Sequence, residues 1–99
     1  MTEDKVACRT PAEGRDGVTN IPRWKFDMLR EAILAVLAEG DIRFTDLQAA
    51  VGARLAAADL QRLGSLGWHV TTVKLELECR GEVVRRAVKG PQVIGLPPL

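Results

Sequence analysis

Two rhythms of hydrophobic and polar positions run along this chain, and the clearest lies in its last third. From Leu66 to Arg80, Val70, Val73 and Leu77 recur at i, i+3, i+7, the spacing of a helix with one core-facing stripe. Ser65 is a candidate N-cap for it, and Gly81 can take the left-handed conformation that closes such a helix. Residues 82–88 are rich in β-branched side chains that suit a strand, Gly90 and Pro91 break the run, and residues 92–96 are apolar enough to return antiparallel. A helix feeding a two-stranded β-wing is therefore predicted. A rival reading stays open: residues 73–79 also alternate apolar and polar, as a half-buried strand would, with Arg80 and Gly81 as a hairpin turn. Leu75, Glu76, Leu77 and Glu78 are good helix formers and favour the helix.

Upstream, Phe26, Leu29, Ile33, Val36 and Leu37 recur at helical spacing. This first helix is expected to begin near Pro22, capped by Asn20 or Thr19, and to end before Gly40. Trp24 at its start reads as an anchor for the N-terminal segment. Residues 42–44 form a short apolar bridge. Thr45 then opens a second helix with a capping box to Gln48, and Phe44 stands at the staple position. Leu47, Val51 and Leu55 continue the core stripe, and Ala56 to Ala58 let the helix run on or restart towards Leu60 and Leu63 before Gly64 stops it. Residues 1–20, punctuated by Pro11, Gly14 and Gly17, read as an irregular arm whose only β-like piece is 6–9. Val6 and Cys8 could dock that piece on the body or on a second subunit.

In order, helix, short strand, helix, helix and wing give an α+β fold. The expectation is a three-helix winged helix-turn-helix core with a C-terminal two-stranded β-wing, an arm over 1–20 and the domain proper over 21–99.

Composition narrows the function classes. Of the 99 residues, 46% are hydrophobic and 27% charged, ordinary values for one globular domain. A net charge of +1 is not that of a strongly basic nucleic-acid binder. Cys8 and Cys79 lack the spacing and His companions of a zinc site, so no metal is expected. The start of the chain is polar, and no apolar run approaches a membrane span, which points to a cytoplasmic protein with two free thiols. The single histidine, His69, has no triad partners at a useful spacing and reads as a helix-surface residue. No glycine-rich phosphate loop or dinucleotide fingerprint occurs, so neither a cofactor nor an enzymatic activity is expected.

Two stretches carry resemblances. Leu77, Glu78, Cys79, Arg80 and Gly81, followed by Val83 and Val84, resemble the close of the third helix and the first wing strand in winged-helix regulators of the multiple-antibiotic-resistance type. Glu82 departs from that pattern, which usually has an apolar residue after the glycine. The chain is also similar to a family of small bacterial domains of unknown function. That likeness rests on Lys25, Phe26, Met28, Leu29, Arg30, Ala32, Ile33 and Leu34, then on Gly67, Trp68, Thr72, Val73, Lys74, Leu75, Leu77, Glu78, Arg80 and Gly81.

The winged-helix resemblance implies binding to duplex DNA, with the third helix in the major groove and the wing on the phosphate backbone. By matched position the DNA-contacting candidates are Thr71, Thr72 and Lys74 on the helix, beside Glu78, and Arg85, Arg86 and Lys89 on the wing. Between Gly81 and Gly90, three basic residues stand against one acidic. The helix itself argues otherwise. Trp68, Leu75 and Cys79 fall within about 40° of one another on the side away from the core stripe, where base-reading side chains belong. Glu76 and Glu78 add charge that repels phosphate. A second reading follows, a protein-interaction or homodimerisation module with Trp68, Leu75 and Cys79 at the interface.

Overall fold

The computed structural model describes residues 4–9, 18–86 and 89–98. It is an α+β fold with four helices and two small antiparallel sheets. Strands β1 (Lys5–Arg9) and β2 (Val18–Pro22) form a hairpin that leads into α1 (Arg23–Ala38). Then follow β3 (Ile42–Arg43), α2 (Phe44–Gly52), α3 (Ala57–Leu63), α4 (Leu66–Arg80), β4 (Val84–Arg86) and β5 (Val93–Gly95), with the second sheet ordered β3-β5-β4.

The helix reading of α4 holds against the strand alternative, and its two ends show why. Ser65 Oγ accepts from the Trp68 N–H at 3.2 Å, satisfying one of the donors a helix leaves unpaired at its start. At the other end Gly81 adopts φ 77° and ψ 14°, which lets Gly81 N–H donate to Glu78 O and Glu82 N–H to Leu77 O. That pair of reversed bonds is a Schellman closure, and the left-handed residue it requires is the glycine the sequence supplies.

The N-terminal region departs from expectation. In place of an irregular arm there is a hairpin, with Val6 opposite Ile21 and Cys8 opposite Thr19. Val6, Cys8 and Ile21 are buried in the same core as Phe26, Leu29, Ile33, Val73 and Leu77. The expected docking of Val6 and Cys8 on the body is thus found. The turn signals at Pro11, Gly14 and Gly17 lie outside the described residues. Pairing with β1 keeps Thr19 and Asn20 extended, so neither caps α1, and Pro22 precedes the helix rather than starting it. The first free donor is met from the hairpin instead: Arg23 N–H donates to Asp4 O at 2.9 Å.

A similar substitution removes the capping box at α2. The helix begins at Phe44, and Phe44 N–H donates to Gln92 O at 2.9 Å, continuing the strand pairing of β3 with β5. Thr45 makes no capping bond, and Gln48 lies against Gly67 of α4. The expected core has three helices, whereas the chain forms four, because the helix restarts at Ala57 after a turn. Lys25 Nζ donates to Leu63 O at 3.1 Å, placing a cation at the C-terminus of α3, where the exposed carbonyls favour one. The Trp24 ring lies 4.3 Å from the Arg62 guanidinium of this helix. At the C-terminal β4–β5 pair, Val83 is the valine that enters the core and Val84 is half-buried. The expected strand end at Val88 also lies outside the described residues.

Candidate functional site

Helix α4 contacts α1, α2, α3 and β1, and it is buried on more of its circumference than a single apolar stripe would cover. The core stripe of Val70, Val73 and Leu77 is fully enclosed. On its two flanks, polar residues are enclosed as well, each in a network of charges.

On the hairpin side the Glu76 carboxylate receives Arg9 in three ways. Its backbone N–H and its Nε both reach Oε1 at 2.9 Å, and Nη2 reaches Oε2 at 2.9 Å. Arg80, one turn along the helix, adds Nε to Oε2 at 2.7 Å. These bonds, led by that of the Arg9 side chain, hold the carboxyl at a pKa of about 2 against the opposing effect of burial. Arg80 also lies over the Phe26 ring at 4.7 Å. The nearby Cys8 thiol is pushed up to about 11, first by burial and then by the Glu76 charge, so it is held as packing material and not as a nucleophile. Glu82, the departure from the regulator pattern, has its own reason: it binds the Arg30 guanidinium of α1 through both Nε and Nη2.

On the side of β4 and β5, Lys74 is only 2% exposed. Its Nζ donates to Gln92 Oε1 at 2.9 Å, lies 4.4 Å from the centre of the Phe44 ring, and stands 2.8 Å from Glu78 Oε2, a pairing of charges without hydrogen-bond alignment. Burial lowers its pKa, and Glu78 opposes that shift. Arg85 from β4 closes over the other oxygen of Glu78.

The candidates proposed for DNA therefore occupy very different places. Lys74 and Glu78, expected at the surface, are enclosed. Arg85 is exposed but paired with Glu78, while Arg86 is half-buried, donating to Asp41 and to Leu96 O at 2.7 Å. Lys89 is exposed at the wing tip. Thr71 is half-buried at a hollow of about 300 Å³ shared with Phe44, Thr45, Gln48, Gly67 and Val70. The Thr72 hydroxyl donates to Trp68 O at 2.8 Å. His69, expected on the helix surface, is buried, with Nδ1 2.6 Å from Ser65 O and its ring edge-on to Trp68.

The three interface candidates share the remaining, outward strip of α4. Trp68 is 50% exposed, one of two large hydrophobic side chains so exposed among the described residues, and Leu75 and Cys79 are half-buried. Arg9 borders the strip from the N-terminal hairpin and Arg85 from β4.

A family model described as a family of unknown function, DUF6958, matches residues 5–94. The chain belongs to that family. The span matched by DUF6958 begins at β1 and reaches into β5, so it takes in the N-terminal hairpin, all four helices and β4. No curated protein and no solved structure matches the chain.

In this DUF6958 chain the residue that sequence reasoning missed is Arg9. Its partner was legible in part, because Glu76 and Arg80 stand at i and i+4 on one helix face, as do Lys74 and Glu78. Nothing local ties Arg9 to a position 67 residues away. No helix among the described residues is long and apolar enough to cross a membrane.

Proposed function

We propose that this chain is a non-enzymatic protein-interaction module with a winged-helix core, whose docking surface is the outward strip of α4. The observation that carries this reading is the distribution of groups around α4. Lys74 and Glu76 are buried and the Glu78 side chain is covered, and what faces solvent is Trp68, Thr72, Leu75 and Cys79, bordered by Arg9, Arg80 and Arg85. Trp and Arg around a partly exposed apolar patch are the residue types that dominate protein interfaces. Base reading asks instead for Arg, Lys, Asn or Gln on the outward face, and this helix offers there only Thr71, Thr72 and, at its last residue, an Arg80 already held on Glu76.

The winged-helix part of the proposal is supported by the order α1, β3, α2, α4, β4, β5 and by the placement of β5 between β3 and β4. Helix α3, inserted before α4, is the departure from it. That same order favours the second reading, DNA binding through α4 and the wing, although likeness of fold alone does not fix function.

Retention on duplex DNA across a salt series separates the two. A docking module gives weak retention that Trp68→Ala and Leu75→Asp leave unchanged. Tight retention with a steep salt slope, lost in Arg85→Glu, would overturn the docking reading in favour of nucleic acid. Sedimentation of the same variants reads self-association, the homodimer form of the module, as a mass that both substitutions reduce.

A further inference from the structure

The ion pairs around α4 conceal a charge asymmetry. On the hairpin side, one carboxylate, Glu76, is shared by Arg9 and Arg80; on the wing side, Glu78 is shared by Lys74 and Arg85. Among the described residues the side of Glu78 thus sets two cations against one anion, and on the side of Glu76, where Arg80 Nη1 also comes within 4.0 Å of a Glu82 already bound by Arg30, three cations stand against two anions. The anions lie beneath and the guanidiniums above: the Glu76 and Glu78 side chains are 2% and 8% exposed, those of Arg9, Arg80 and Arg85 55%, 39% and 44%. A guanidinium carries five N–H donors in a planar fork, and none of these three directs more than two of them to the carboxylate it covers. Donors remain for a second carboxylate, one brought by a partner.

We infer that the strip accepts an amphipathic helix from another protein, with apolar residues flanked on both sides by Asp or Glu. The inference rests on the docking reading above and adds the chemistry of the partner to it. From Trp68 to Cys79 the strip runs about 17 Å at the helical rise, the length of about three turns of a partner helix. Its centre is apolar, so a stripe of leucine-like side chains loses water there along with Trp68 and Leu75. Its borders are cationic, so carboxylates on either side of that stripe meet guanidiniums already held in place by Glu76 and Glu78. Charge decides among the other occupants. A second copy of the chain brings a surface with the same cationic borders. Nucleic acid supplies anions but offers phosphate and base edges, not apolar surface, to Trp68, Leu75 and Cys79.

A displayed library tests this directly. Amphipathic helices with a fixed leucine stripe and flanking positions drawn from Glu, Lys and Ser are selected against the full chain. The expected result is recovery of helices with Glu at the flanks, bound about tenfold more tightly than their Lys counterparts. That preference should fall severalfold in Arg85→Gln, and binding should be lost in Trp68→Ala, with thermal unfolding curves showing that both variants remain folded. Equal recovery of Glu-flanked and Lys-flanked helices overturns the charge preference and leaves the docking reading standing. Recovery of no helix that Trp68→Ala releases overturns both. Displacement of the selected helices by duplex DNA at equal concentration overturns the inference in favour of nucleic acid.

Discussion

Glu76 is a residue on which three elements converge. It stands on α4, takes its strongest bonds from β1 and shares Arg80 with the Phe26 ring of α1. Glu76→Gln removes the charge from hydrogen bonds to two guanidiniums that stay in contact with water, so it is expected to cost about 2 kcal/mol in denaturant unfolding. The pH dependence has a definite sign. The folded pKa lies at about 2, below the ordinary 4.5, so the stabilisation is complete above pH 4.5 and is lost as pH falls towards 2. Wild type should therefore lose on the order of 2 kcal/mol more than Glu76→Gln across that window. Parallel pH profiles for the two proteins would mean that the carboxylate is not held as described. The i, i+4 half of this network could be read from the sequence. The decisive half could not, because Arg9 is brought to Glu76 only by the register of the hairpin.

At the scale of elements, the ends of α4 were legible because capping is local. Ser65, Gly81 and the i, i+3, i+7 stripe need no tertiary context, and all three act as their chemistry dictates. The starts of α1 and α2 were not legible, because a distant strand supplies what a nearby side chain was expected to supply. Asp4 O and Gln92 O take the N–H groups of Arg23 and Phe44, and no local pattern announces either. Two glycines in and beside α4 test this account by contrast. At Gly81 an added Cβ would meet nothing within 4 Å, so the cost of Gly81→Ala is the left-handed backbone alone, about 1 kcal/mol, or about 4–8 °C in Tm. At Gly67 the nearest atom is Gln48 Oε1 at 2.8 Å, the end of a flexible side chain that can swing away. Alanine is the better helix former there, so Gly67→Ala should leave Tm unchanged or raise it. Circular dichroism melts of the two variants check both signs.

At the scale of the whole molecule, the N-terminal hairpin is part of the core, as are Val83 and Ile94 from the C-terminal strands, where Arg86 and Asp41 add an ion pair. Ile21 is 2% exposed and packs with Val6 and Cys8 into the cluster that contains Phe26 and Leu77. Ile21→Ala is accordingly expected to cost about 2–5 kcal/mol in denaturant unfolding, the range for a buried aliphatic, where an irregular arm would give a change within about 0.5 kcal/mol. An alternating pair of apolar residues, Val6 and Cys8, was visible in the sequence. The partner strand was not, since Val18 to Asn20 is exposed and offers only Ile21 as an inward position.

The arrangement as a whole leaves α4 one outward strip and surrounds that strip with guanidiniums standing over buried carboxylates. The most direct test of what the strip binds uses Trp68 as its own reporter. The chain has two tryptophans, so a Trp24→Phe variant leaves Trp68 as the single indole. Its fluorescence is followed during titration with an acid-flanked amphipathic helix and, separately, with duplex DNA at the same ionic strength. The account predicts a blue shift of Trp68 emission with the helix and an unchanged spectrum with DNA. A response to DNA with none to the helix would contradict it.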